Sequence, residues 1–87
     1  MSARGRLVED VHTPLSDAGG DLLETVAAFL DSGGSIEGTA RALYVHANTV
    51  RYRLKRVAEV SGLSPLDGRD AFALRMALTI GRLDPAT

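Results

Sequence analysis

Hydrophobic residues recur at helical intervals along most of the chain. Leu22, Val26, Phe29 and Leu30 are spaced as i, i+4, i+7 and i+8, which is the spacing of one face of an amphipathic helix. Asp21 stands where an N-cap or a first-turn acid belongs, and a glycine pair follows the segment. The pattern therefore predicts a helix that begins near residue 21 and ends before residue 33.

Two central segments have the same period. Ser35 is a suitable N-cap for a short helix over Ile36–Leu43, and a longer helix is predicted over Ala47–Ser61. Gly62 and the following proline predict the end of the longer helix. Its core-facing residues, spaced as i, i+4 and i+7, would be Val50, Leu54 and Val57.

A last helix is predicted from about Gly68 to Arg82, with Asp67 as its cap. It carries apolar residues over a wide arc, so the arc that faces the core is less sharply defined than in the other helices. The predicted apolar face holds Phe72, Leu74, Ala77, Leu78 and Gly81, widened by Met76 and Ile80.

The start of the chain is less regular. A short helix is predicted within residues 7–15, because Pro14 and the "SDAGG" that closes at Gly20 indicate a turn. We divide the chain into a linker or short N-terminal helix (residues 1–16), one folded domain (17–83) and a tail (84–87). The whole is predicted to be an all-α bundle of four to five helices.

The two central helices, joined by a short turn, are arranged as a helix-turn-helix. In that motif the second helix enters the major groove of DNA. Ile36–Leu43 would be the supporting helix and Ala47–Ser61 the recognition helix.

Charge is distributed unevenly. The chain has a net charge of −1, yet residues 38–58 carry five basic side chains and no acid, which leaves −6 for the rest. Because salt screens charges beyond about 8 Å, a partner responds to this local patch rather than to the total. The basic patch favours an acidic partner such as DNA, and the acidic remainder is expected to face away from it.

Other functional classes have little support. The chain contains no cysteine, and its two histidines are far apart, so neither a metal nor another cofactor is expected. No catalytic motif is present, so an enzyme is not expected. With no signal-peptide pattern and no apolar run of about 18 residues, a cytoplasmic protein without membrane contact is expected.

The candidate DNA contacts lie on the polar side of the longer helix. Arginine and asparagine can read base edges, whereas hydroxyls and cations can hold phosphates. We expect Asn48, Arg51 and, less firmly, Tyr52 to read bases, and Thr49, Lys55 and Arg56 to anchor the backbone. Weaker candidates are Arg41, His46 and Arg53.

Several alternatives stay open. A basic amphipathic helix can simply be solvated, or it can dock an acidic protein partner, which would make the chain a protein-interaction module. His46 either contacts a phosphate or, as we favour, fixes the turn through a hydrogen bond. Arg53 lies near the apolar edge and is expected to extend past the core or to pair with an acid. Tyr44 is expected to be a partly buried spacer.

Self-association is also open. A recognition helix reads few base pairs, and two copies about 34 Å apart on DNA would bind more strongly. Four apolar residues could form either a dimer surface or the core of this small domain: Leu15, Leu22, Phe72 and Met76.

The run "TARALYVHANTVRYRLKRVAEVSGL" from Thr39 to Leu63 resembles the C-terminal helix-turn-helix domain of PucR/CdaR-type bacterial transcription regulators. "LLETVAAFL" before it and "FALRMALTI" after it match the flanking helices of that family. The resemblance implies a Fis-like helix-turn-helix that binds double-stranded DNA through His46–Arg56. It also implies an upstream sensory domain in the same polypeptide, so that this chain would be an excised C-terminal part. Ala47, where many members have a basic residue, and Phe29, where they have tyrosine, depart from the pattern.

Overall fold

Six helical segments make up the part of the protein that the computed structural model describes, residues 8–83. A π-helical turn over Val8–His12 comes first. The five α-helices are α1 (Thr13–Ala18), α2 (Leu22–Asp31), α3 (Ile36–Leu43), α4 (Ala47–Ser61) and α5 (Gly68–Leu83). No strand occurs among the described residues, and the all-α prediction is confirmed. The first seven residues of the predicted linker and the tail predicted over 84–87 lie outside the described range.

The helix boundaries follow from local hydrogen bonds. The Ser35 hydroxyl accepts a bond from the Gly38 N–H at 2.8 Å, which caps α3. The Asp67 carboxylate accepts bonds from the first two N–H groups of α5 that follow Gly68, each at 3.0 Å. Gly62 ends α4 in the left-handed region, at φ 77°. These predicted boundaries are confirmed.

The first helix differs from its prediction. Pro14 lies in the first turn of α1, where a missing N–H removes no helical hydrogen bond, so the helix continues to Ala18. The turn begins only at Gly19. Asp21 holds the N-cap position of α2 at φ 60°, but its carboxylate makes no capping bond. Its side chain points instead towards α4.

The core lies between α2 and the helices around it, since α2 packs against α1, α3, α4 and α5. The π-helical turn packs against α1 and α5 and covers the core on that side. Leu15 and Leu22 are buried here, so they are core residues and not a dimer surface. The buried apolar residues are Val11, Leu15, Leu22, Val26, Phe29, Leu30, Ala40, Val50, Leu54, Val57, Leu74, Ala77 and Leu78.

The inner face of α5 is narrower than the sequence suggested. Leu74, Ala77 and Leu78 are buried, whereas Phe72 is 66% exposed and Met76 is also exposed. Of the two positions left open for Phe72, the core is therefore ruled out. At about 100° per residue, Phe72 lies nearly opposite Leu74, so both cannot face α2.

Candidate nucleic-acid interface

The turn between α3 and α4 sets the direction of α4. Tyr44 takes the left-handed conformation, with φ 58° and ψ 43°, and so ends α3 without a glycine. The N–H of Val45 then donates to the carbonyl of Ala40 at 3.0 Å, and Val45 packs against the core. A left-handed residue other than glycine costs about 1–2 kcal/mol. The side chain of Tyr44 is 94% exposed, so the expectation of a partly buried spacer is wrong.

His46 begins α4. Its Nδ1 atom accepts a hydrogen bond from the backbone N–H of Asn48 at 3.0 Å and so caps the helix. This is the turn-fixing bond that we favoured for His46. The imidazole remains exposed beside the first turn of α4.

The outer face of α4 is polar and open to solvent. Val50, Leu54 and Val57 are buried as predicted, and the opposite side presents Asn48, Arg51, Tyr52 and Lys55. A guanidinium nitrogen of Arg51 donates to Oδ1 of Asn48 at 2.8 Å. The two side chains proposed to read bases are therefore already paired on one surface.

Arg53 points the other way, towards α2. Its guanidinium donates to the hydroxyl of buried Thr25 at 3.3 Å and lies 3.7 Å from the carboxylate of Asp21. Its side chain is only 19% exposed. The prediction that Arg53 pairs with an acid of a neighbouring helix is confirmed, and this arrangement favours a positioning role over a free contact.

Arg56 lies further along α4, beside its exposed outer face. It donates to a carboxylate oxygen of Glu59 at 2.8 Å, and that hydrogen bond is the main reason why the pKa of Arg56 is raised above its usual value. Glu59 thus borders the exposed face of α4, whereas Asp21 holds Arg53 on the side that packs against α2. The expectation that all acids face away from the basic patch is wrong, because two of them are used to hold arginines.

Grooves flank α4 on both sides. On one side the Gly19–Gly20 turn faces Thr49 and Tyr52 across an open groove of about 340 Å³. On the other side a more apolar groove of about 450 Å³ lies between α4 and the α4–α5 loop, where Leu66 is exposed. The exposed face of α4 therefore forms a ridge that projects between two hollows. Arg41, on α3, is exposed but lines neither of them.

A metal site and a membrane-spanning helix are both absent from residues 8–83. The described side chains include no group of three or more His, Cys, Asp and Glu that could hold a metal ion. None of the described helices has the length and apolar character to cross a membrane.

The comparisons with known proteins agree with this geometry. The family model of the PucR C-terminal helix-turn-helix domain matches residues 22–80, which include all of α2, α3 and α4. The chain belongs to this family. The PucR-type domain here thus consists of the helices that surround the turn at Tyr44, together with most of α5.

Relatives of this PucR-type domain are longer proteins. An uncharacterized protein of Mycobacterium tuberculosis strain H37Rv is 54% identical over 86 residues, which are 99% of this chain and 21% of that protein. The purine catabolism regulatory protein of Bacillus subtilis is 44% identical over 62 residues, 71% of this chain and 12% of that protein. The carbohydrate diacid regulator of Escherichia coli is 36% identical over 64 residues, 74% of this chain and 17% of that protein.

A solved structure shows the same fold. The regulator of polyketide synthase expression from Bifidobacterium adolescentis superposes with a TM-score of 0.89 at 47% identity. The match covers 93% of this chain and 34% of that chain. The chain is thus similar to about a third of that regulator.

Two features of the interface could not be read from the sequence. The pairing of Asn48 with Arg51 depends on side-chain rotamers. The exposure of Tyr44 depends on the left-handed turn, for which the one available signal was a helix break that contains neither glycine nor proline.

Proposed function

We propose that this PucR-type domain binds double-stranded DNA sequence-specifically, with α4 inserted into the major groove. The observation that carries the proposal is the polar ridge of α4. The inner residues of α4 are buried in the core, whereas its outer residues have no part in the core. These outer residues are Asn48, Arg51, Tyr52 and Lys55. A helix that projects between two hollows has the shape required to enter a groove whose walls are phosphate backbones.

The positions of the side chains divide their roles. Arg51 and Asn48 lie in the first turns of α4, where a recognition helix approaches base edges, and Tyr52 follows them. Thr49 and Arg56 line the groove on one side of the ridge, and Lys55 lies further along it; these three would hold phosphates, with His46 and Arg41 as further backbone contacts. Arg53 would act by fixing α4 against α2, because Thr25 and Asp21 engage its guanidinium.

The domain would work as the DNA-binding end of a longer transcription regulator with a sensory domain upstream. The support is that its relatives are several times longer and that two of them are named as regulators. A homodimer on an inverted repeat would place two copies of α4 about one helical turn apart. Phe72 and Met76, exposed on α5, are the remaining candidates for its contact surface.

Selection from a randomised duplex pool at two salt concentrations tests the proposal. An enriched motif, with affinity that falls as salt rises, is the expected result. Half-sites about ten base pairs apart would indicate a dimer. Salt-sensitive binding without any enriched motif would contradict sequence-specific recognition.

Substitutions on the ridge separate base reading from phosphate anchoring. Arg51→Ala should relax the selected motif, whereas Lys55→Ala should weaken all duplexes alike and lower the salt slope by about 1. Arg69→Ala removes an exposed charge on α5 and should change neither quantity. Equal losses on every duplex for Arg51→Ala and Lys55→Ala would refute this division.

A second candidate function is the docking of an acidic protein partner. The apolar groove beside α4 favours it, since Ile36, Pro65 and Leu66 line this groove together with the cationic Arg51 and Lys55. A partner segment with acidic and apolar residues would fit that groove. Binding of such a partner, with no preference among duplex sequences, would favour this function over DNA recognition.

A further inference from the structure

We propose that Tyr44 contacts the sugar–phosphate backbone of DNA at the wall of the major groove, with its ring against a deoxyribose and its hydroxyl donating to a phosphate. This proposal rests on the proposed function, and it adds a second residue of the turn to an interface otherwise made by α4, His46 and Arg41.

The backbone conformation of Tyr44 is the first observation. At φ 58° and ψ 43° it holds a position that glycine adopts without penalty and that asparagine adopts more readily than an aromatic residue. Non-glycine residues held in such conformations cluster at active sites, ligand clamps and switch regions. A helix-ending turn would be satisfied by glycine here.

Packing does not explain the tyrosine. The side chain is 94% exposed, so it contributes little apolar burial to the fold. The turn is held instead by the backbone bond from Val45 to Ala40 and by the apolar contact of Val45 with the core. The aromatic ring and the hydroxyl of Tyr44 are therefore available to a partner.

The location of Tyr44 indicates which partner this is. Tyr44 precedes Ala47, the first residue of α4, by three positions, and it lies beside the end of α4 that would enter the groove. A residue just outside the inserted helix meets the groove wall rather than the base edges on its floor. Tyrosine hydroxyls are common donors to phosphate oxygens, and the apolar body of the ring suits a sugar.

An uncharged contact of this kind has a distinct signature. Phosphate contacts carry no direct sequence information, so the loss of one should weaken selected and scrambled duplexes equally. Because tyrosine releases no counterion, the salt slope should stay unchanged, in contrast to Lys55→Ala.

The experiment compares Tyr44→Gly, Tyr44→Asn and Tyr44→Phe in the 87-residue chain, with thermal melts and duplex titrations over a range of salt. Glycine relieves the left-handed strain, so Tyr44→Gly should melt at or above the wild-type temperature. Its affinity should nevertheless fall roughly tenfold on every duplex, the order expected for a hydrogen bond to a charged group. Tyr44→Asn should show the same loss, which excludes glycine flexibility as the cause, and Tyr44→Phe should show an intermediate loss.

The outcomes distinguish the two proposals. Wild-type affinity for Tyr44→Gly, in a chain whose wild type binds duplex, would overturn the Tyr44 contact alone. Wild-type affinity for Tyr44→Phe would overturn the phosphate hydrogen bond. If the wild-type chain binds no duplex at any salt concentration, the proposed function and this contact fall together.

Discussion

The helices α4 and α5 are alike in length and in how they are held, yet their outer faces differ. Each contributes one arginine that binds α2. Arg53 of α4 donates to the hydroxyl of Thr25, near the start of α2. Arg75 of α5 donates to the carbonyl of Leu30, near the end of α2, at 2.6 Å. Outside the core, α4 presents amide, hydroxyl and cationic groups, whereas α5 presents Phe72 and Met76 beside two exposed arginines, Arg69 and Arg75.

The difference separates what the fold requires from what it leaves free. Both inner faces are apolar, because the core excludes water from them. The outer faces are not constrained in that way, so their side chains indicate which kind of partner each face could bind. A polar, cationic outer face on α4 fits a nucleic acid, and the mixed outer face of α5, with exposed apolar and charged side chains, fits a protein surface.

The largest expected effect separates the two faces of α5. Leu74→Ala empties a fully buried site and should lower the free energy of unfolding by about 2–5 kcal/mol. Phe72→Ala, two residues away, should change it by less than about 0.5 kcal/mol. Urea denaturation of both variants measures this. A large loss for Phe72→Ala would show that this ring supports the fold after all.

The two arginine anchors should differ in their effect on DNA binding. Arg53→Ala leaves the buried hydroxyl of Thr25 without its partner and should lower the free energy of unfolding by about 1–3 kcal/mol. It should also weaken DNA binding, because α4 loses its hold on α2. Arg75→Ala should destabilise the fold less, since its side chain is half exposed, and should leave DNA affinity unchanged. Titrations at a temperature where both variants are folded decide between these outcomes, and an equal loss of affinity would contradict the comparison.

Replacing Gly81 of α5 by alanine should destabilise the fold, which is the reverse of the usual effect of this substitution in a helix. Glycine to alanine inside a helix normally stabilises by up to about 1 kcal/mol, but a Cβ at Gly81 would overlap the imidazole of His12. Gly81→Ala should therefore lower the free energy of unfolding by about 1 kcal/mol through overpacking. In a His12→Ala background the same change should become stabilising. If urea denaturation shows stabilisation in both backgrounds, the π-helical turn does not pack on α5 as described.

The smallest expected effect lies at the end of α4. Glu59→Gln removes an acid that holds Arg56, and it should raise DNA affinity by about two- to threefold as Arg56 becomes available to phosphate. The melting temperature should hardly change, because exposed ion pairs contribute little. Glu24→Gln, an exposed acid on α2, makes the same change in net charge and should leave affinity unchanged. Equal gains for both would indicate a general charge effect.

Much of the interface could be predicted because α4 has a narrow apolar side. With Val50, Leu54 and Val57 inward, helical geometry alone places Asn48 and Lys55 outward, and the structure agrees. The same reasoning failed for α5. The predicted apolar face of α5 included Phe72, which is exposed, because a helix with apolar residues around its circumference has no unique inner face.

The amino-acid sequence by itself determined the helices α2 to α5, the caps at Ser35, Gly62 and Asp67 and the cationic side of α4, because periodicity, capping and helical geometry are local properties. Only the tertiary structure decided that Arg53 is held by Thr25 and Asp21, that Tyr44 stands in solvent and that Phe72 is left outside. Those outcomes depend on which surface of a neighbouring helix packs against each residue. Contacts between residues distant along the chain are set by the packing of the whole core, and no local pattern encodes them.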